Sequence, residues 1–243
     1  LAQRIYKRDL MENLEQKESA IYLPDSDSYY FYGMTKQLAE NKNIMTQRKG
    51  AEYFNSLMLA PIGYWEKINL HPFIGYFLYR VIHQFNPQAS LMLAVSFVPI
   101  FFTIFSIVLF VLLLKHLNIR SRASVLGSLL FVLAPIFLRR SFFGWYDNDI
   151  YNIFFPLLIL WMTFIGIENR NHKIKRTIFA LLTALTIIFY AYFWQGWVYL
   201  FCVLFAEGIV LLGTEFFIFK EKSAPLEIFY FFGTIFLAIF AGI

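Results

Sequence analysis

Two short stretches place carboxylates at a spacing that suits chemistry. The first is Asp25-Ser26-Asp27-Ser28-Tyr29-Tyr30, opening SYYFYGMTKQLAEN, and the second is Gly144-Trp145-Tyr146-Asp147-Asn148-Asp149. Each has an ordinary structural explanation. Asp27 or Ser28 would cap a helix by accepting a bond from an unpaired backbone N–H. Asp147 would cap the apolar segment that follows it, because carboxylates favour the positive end of a helix. Together the stretches predict more. Three carboxylates brought to one place repel one another unless a cation neutralises them, and Mg²⁺ and Mn²⁺ are hard cations that prefer oxygen ligands. Arg140 lies in the same loop as the second stretch, where a guanidinium would pair with Asp149 or hold a phosphate in a forked contact. Carboxylates, a divalent cation and an arginine suit departure of a phosphate from an activated donor.

The elements that must position these groups are set by composition. The chain has 243 residues, 59% hydrophobic, 21% aromatic and 15% charged, against about 25% charged in ordinary globular proteins. Disorder, collagen and a disulfide scaffold are excluded by these figures, and a soluble domain would expose large apolar patches. The one cysteine, Cys202, sits in an apolar run and carries no redox signal. Of the 21 Lys/Arg and 16 Asp/Glu, residues 1–90 hold 10 against 9, leaving 11 against 7 for the remainder. Most of the later basic residues fall in short loops between apolar runs, a pattern of membrane topology and not of a nucleic-acid groove.

Six apolar segments read as transmembrane helices, roughly Ser90–Leu114, Ala123–Leu138, Ile150–Ile167, Ile178–Phe193, Trp197–Leu212 and Leu226–Ile243. A span needs about 20 apolar residues, so the second and fourth are short. Residues 1–89 then form a long first external loop with interfacial helices and the first acidic motif. Residues 90–243 form the membrane part, with the second motif at 140–149. HPFIGYFLYRVIHQF, starting at His71-Pro72, has helical periodicity but is too short to span, which predicts a helix lying at the interface. His71 and His83 read as hydrogen-bonded structural histidines. The loops KHLNIRSR, ENRNHKIKR and FKEKSA alternate along the chain and carry the basic residues, so all three are expected in the cytoplasm. The RRSFFGWYDND and WQGW turns then share the opposite side with the first region, although Arg139 and Arg140 depart from the charge bias. Two membrane crossings separate the motifs and return them to one face. Trp194, Trp197, Tyr190 and Tyr192 read as an interfacial aromatic belt, with a sugar-stacking platform as the alternative. Glu207, inside the fifth segment, is expected to pair with a neighbour near the cytoplasmic half and is given no role.

PDSDSYYFY and FFGWYDNDIYNIFFP resemble the two acidic motifs in the N-terminal membrane region of the oligosaccharyltransferase catalytic subunit, a C-type glycosyltransferase, in its archaeal and bacterial single-subunit form. The resemblance covers most of the chain, including the YAYFWQGWVY turn. It implies an all-α, polytopic transmembrane helical bundle. It also implies transfer of an oligosaccharide from a lipid-linked phosphate or pyrophosphate donor to asparagine in an N-x-S/T sequon, with Mn²⁺ or Mg²⁺ as cofactor. By the same implication Asp27 binds the metal and engages the acceptor amide, Asp147 and Asp149 bind or support that metal, and Arg140 stabilises the acidic cluster. The partners are a lipid-linked oligosaccharide, an acceptor polypeptide and membrane lipid, with no nucleic acid. The catalytic side is non-cytoplasmic, in the cell membrane of an archaeon or bacterium in preference to the endoplasmic reticulum. Another C-type transferase using a polyprenyl-phosphate sugar, or a cation-binding transporter, are the competing readings. The family also carries a later acidic residue and a WWDYG motif in a C-terminal globular domain. WWDYG does not occur here. The chain begins without Met and ends in an apolar run, so the expectation is an N-terminal fragment, inactive alone, with at least one metal ligand missing.

Overall fold

The computed structural model describes residues 21–40, 47–50, 52–56, 58–59, 61–219 and 224–242. The chain start and most of the FKEKSA loop lie outside the described residues. The chain divides into two compact units, residues 21–101 with Arg139–Asp147, and residues 102–138 with 148–242.

In the first unit, α1 spans Ser26–Ala39. Asp25 is its cap: the carboxylate Oδ1 accepts from the backbone N–H of Ser26 at 2.9 Å. That places Asp27 in the first turn, where its charge faces the positive end of the helix. Ser28, Phe31, Met34 and Thr35 are buried, the three- and four-residue spacing of one helical face. That face packs against α2, His71–Phe85, and α3, Leu91–Ser96. α2 begins where Pro72 permits, in the first turn.

Between α1 and α2 the chain forms a small antiparallel sheet in the order β1 (Arg48–Lys49), β2 (Glu52–Asn55), β3 (Tyr64–Lys67), with Tyr53 opposite Glu66 and Phe54 opposite Trp65. Sequence periodicity indicates only helices here, because two- to four-residue strands are too short to show alternation. The sheet is tied to α1 through Glu66. Its carboxylate accepts from the Tyr30 hydroxyl at 2.7 and 2.8 Å, from the Tyr53 hydroxyl at 2.8 Å, and from the Asn55 amide. Burial and the neighbouring Glu66 charge push both tyrosine hydroxyls well above their ordinary range.

The second unit is made of long apolar helices. α4, Val98–His116, continues from α3 as one apolar stretch of 26 residues. α5, Ser121–Leu133, and α6, Pro135–Ser141, are bent by 61° at Ala134, so the expected span Ala123–Leu138 is broken. The cause is Pro135: the residue before a proline is pushed out of the helical region, and Ala134 has ψ 125. A 3₁₀ turn, Asn148–Ile150, leads into α7, Tyr151–Glu168, followed by α8, Lys173–Ala191. α9, Trp197–Thr214, continues as a π turn to Phe219, and α10 spans Ala224–Gly242. α7 packs on α8, and α10 packs on α8 and α9, around Phe155, Ile159, Ala184, Ile187, Leu204 and Ile235. Outward Leu126, Leu130, Leu185, Val210 and Leu237 are more than half exposed, which suits hydrocarbon and not water.

Among the described residues, four helices are long and apolar enough to span, or five if the bent α5–α6 pair is one span, in place of the six expected. The apolar part of α10, Pro225–Ala241, is 17 residues and rises only about 26 Å at 1.5 Å per residue, short of a hydrocarbon core of about 30 Å. Among the described residues, polar contacts join the ends of neighbouring helices of this unit. His116 approaches Glu168 at 3.2 Å, Arg170 lies 3.9 Å from Glu215, and Arg176 pairs with Glu227. Glu207 is half-buried in α9.

Candidate metal centre

The second motif folds as a loop because Gly144 supplies a backbone angle that other residues adopt only with strain, φ +90. The Gly144 N–H donates to the Ser96 carbonyl at 3.1 Å. Two tight turns follow, with Tyr146 N–H donating to Gly144 O at 2.7 Å and Asp147 N–H to Trp145 O at 2.9 Å. α7 is flanked by Ile150, which makes no side-chain capping bond. The Asp147 carboxylate, ahead of the 3₁₀ turn, is buried, 6% exposed, within the first unit.

There Asp147 meets the first motif. Asp25, Asp27 and Asp147 each offer a carboxylate oxygen, and these oxygens lie within 4.8 Å of one another. Asp27 is exposed and Asp25 half-buried. The Arg140 guanidinium stands 3.9 Å from Asp147 Oδ2 and 5.0 Å from the centre of the Trp145 ring, so the indole face and the carboxylate together orient it. Three negative charges beside one positive charge leave a surplus of two, which matches a divalent cation, and three oxygen donors match a hard one. The residues present therefore fit a metal ion as its protein ligands.

The structure thus brings together Asp27, Asp147 and Arg140. Asp149 lies in the 3₁₀ turn of the second unit and is not part of the three-carboxylate group. Asp25 is the member that motif reading left without a role. Its signal was the Asp-x-Asp spacing at a helix start, where cap and first-turn side chains gather around the same N–H groups.

His71 is fully buried at the start of α2, its ring 4.8 Å from that of Phe31 and 4.1 Å from that of Tyr146. Desolvation lowers its pKa to about 3, so the ring is neutral. Its structural reading is the one the packing supports. The aromatic-belt expectation fails for Tyr190, which is 1% exposed and donates from its hydroxyl to Asn152 Oδ1 at 2.8 Å. Asn148 donates to the Phe193 carbonyl at 3.1 Å, so both contacts join the aromatic turn to the start of α7. Tyr192 remains exposed.

Taken as a class, this is a helical, multi-pass integral membrane protein whose first unit carries a clustered acidic site. The chain belongs to the oligosaccharyl transferase STT3 family, whose N-terminal region matches residues 13–243. A dolichyl-phosphooligosaccharide-protein glycotransferase of Methanococcus voltae is 25% identical over 198 residues, covering 78% of this chain and 21% of that protein. Among solved structures, the archaeal oligosaccharyltransferase AglB from Archaeoglobus fulgidus, in complex with an inhibitory peptide and a dolichol-phosphate, shares the fold. Its TM-score is 0.72 at 17% identity, covering 93% of this chain and 26% of that one. A second structure of the Archaeoglobus fulgidus oligosaccharyltransferase, with Zn and sulfate, has a TM-score of 0.64 at 16% identity, covering 91% and 32%. The chain spans about a fifth to a third of the length of the proteins it matches.

Proposed function

We propose that the protein containing this chain transfers an oligosaccharide from a dolichyl- or polyprenyl-linked phosphate or diphosphate donor to the side-chain amide of asparagine in an N-x-S/T sequon. The observation that carries this reading is the grouping of Asp25, Asp27 and Asp147 beside Arg140 in a member of the oligosaccharyl transferase family. The relatives' names, and the dolichol-phosphate and inhibitory peptide bound by the fold neighbour, support lipid-linked donor and polypeptide acceptor as the two substrates. Zn in another neighbour supports a divalent ion; the all-oxygen donor set favours Mn²⁺ or Mg²⁺ as the physiological one.

In this proposal Asp27 and Asp147 serve as metal-binding residues, joined by Asp25. A bound dication supplies electrostatic stabilisation to the departing phosphate. Asp27 is the exposed carboxylate of the group and so the one that accepts an N–H from the acceptor amide. That bond draws the nitrogen lone pair out of conjugation with the carbonyl, which the amide needs in order to act as a nucleophile. Arg140 holds Asp147 in place and limits repulsion within the cluster. In this reading the site faces the non-cytoplasmic side.

The test is transfer to a sequon peptide by the full-length protein. Activity is expected only with Mn²⁺ or Mg²⁺. Asp27→Ala and Asp147→Ala are each expected to lower turnover by roughly 10²–10³-fold, the scale of losing one preorganised electrostatic group. Unchanged rates in both variants would reject the assignment.

A further inference from the structure

The second acidic motif reaches beyond its carboxylate. Tyr146, immediately before Asp147, is wholly buried, and its hydroxyl lies 2.8 Å from Thr35 Oγ1 and 3.3 Å from the His71 carbonyl. Thr35 is also wholly buried, two turns along α1 from Asp27, and its Oγ1 lies 2.8 Å from the Phe31 carbonyl. A hydroxyl has one proton. Thr35 and Tyr146 share a hydrogen bond in which either hydroxyl is the donor, and the Phe31 and His71 carbonyls stand by to accept the other proton. The ring of Tyr146 lies 4.1 Å from that of His71, the first residue of α2, tilted by 34° to it. The phenol tip also presses on α2 at Gly75, where an added Cβ would stand 2.0 Å from the Tyr146 oxygen. One side chain therefore touches both α1 and α2, and its backbone neighbour is the buried carboxylate of the acidic group.

We infer that the Tyr146–Thr35 hydrogen bond, seated against Gly75, is a positioning device that sets the separation of Asp147 from Asp25 and Asp27 and thereby the metal affinity of the site. Helix α1 is free to slide or turn about its axis unless it is pinned along its length; Tyr30 on Glu66 pins it to the sheet, and Thr35 pins it to the second acidic motif. Its partner is covalently next to Asp147, through a loop whose two tight turns leave the 146–147 backbone little freedom. Carboxylate oxygens of a metal site must be held to a few tenths of an ångström, and residues behind the ligands typically govern about 10–100-fold in affinity. Tyr146 and Thr35 thus act through the ligands and touch neither the metal nor the substrates. This inference rests on the metal site proposed above.

The experiment is direct Mn²⁺ binding by the full-length protein, read by electron paramagnetic resonance of the free ion, with thermal melting alongside. Tyr146→Phe and Thr35→Val are expected to weaken Mn²⁺ binding about 10–100-fold, and the double variant no further than either single one. Thr35→Ser, which keeps the hydroxyl, is expected to bind within about twofold of the wild type. Tyr53→Phe is the structural control: it removes a buried phenol bound to Glu66 in the same unit, and is expected to lower the melting temperature without moving Mn²⁺ affinity. Binding that Asp147→Asn diminishes, but that Tyr146→Phe and Thr35→Val leave alone, would overturn the inference and spare the metal site. Equal weakening by Tyr53→Phe would overturn it too, by making the effect one of general stability. Wild-type binding that is absent, or that Asp147→Asn does not diminish, would overturn both.

Discussion

Asp27 rides on the first turn of a regular helix and is exposed, whereas Asp147 sits in a loop of consecutive tight turns and is 6% exposed. The helix of the first motif would form with many residues at its start, since Asp25 supplies an ordinary cap. The loop of the second motif would not. It needs Gly144 at φ +90, a carbonyl from Ser96, a phenol anchored on two helices, and an arginine laid on the Trp145 ring. The difference teaches that the two carboxylates have different jobs. Asp147 is the fixed reference, already desolvated and oriented, while Asp25 and Asp27 are held by a helix end and keep the side-chain freedom to meet a ligand or an acceptor.

That contrast is easiest to break at the backbone. Gly144→Ala forces a side chain into the left-handed region and is expected to cost about 1–3 kcal/mol, whereas Ser26→Ala at the exposed start of α1 is expected to stay within about 0.5 kcal/mol. Thermal or denaturant melts of the two variants compare loop and helix directly, and equal costs would contradict the account. A smaller effect follows from His71, which packs on Tyr146. Its folded-state pKa lies near 3 and its ordinary value is 6.5, so below pH 6.5 the unfolded chain takes up a proton that the folded one refuses. The stability associated with the neutral ring is therefore complete well above that pH and falls with acidification, the slope approaching about 1.4 kcal/mol per pH unit only below about pH 5.5. Melts between pH 7 and 5 are expected to show a loss of about 2 kcal/mol in the wild type that is absent from His71→Phe; parallel profiles would contradict it. The smallest effect sharpens the comparison on the helix side. Asp25→Asn keeps the cap, changing stability by no more than a few tenths of a kcal/mol, yet removes one negative charge from the cluster. Mn²⁺ binding is expected to weaken severalfold with the melting temperature unmoved. A fall in melting temperature with unchanged affinity would make Asp25 a cap alone.

The acidic motifs were legible in the amino-acid sequence because charged residues stand out sharply in so apolar a chain, and because alternate basic loops order the helices. Arg170–Glu215 and Arg176–Glu227 pair and His116 approaches Glu168 at the ends of these helices. What escaped was non-local. Thr35 and Tyr146 are 111 residues apart, and neither looks unusual beside its sequence neighbours. The strands around Tyr53 and Glu66 are too short for a pattern, and their carboxylate hub depends on Tyr30 from another element. Pro135 did announce the break in the second apolar segment, but the hydropathy on both sides of it concealed the bend. Tyr190 sits near a helix end, where aromatic residues usually meet the membrane surface, and only packing against Phe155 and bonding to Asn152 reveal it as interior.

The central claim is that two distant motifs share one cation. A double-mutant cycle on Mn²⁺ affinity of the full-length protein, using Asp27→Asn, Asp147→Asn and the pair, tests it most directly. One shared site predicts that each single variant loses most of the binding and that the double variant loses scarcely more. Additive losses, or full affinity in either single variant, would contradict it.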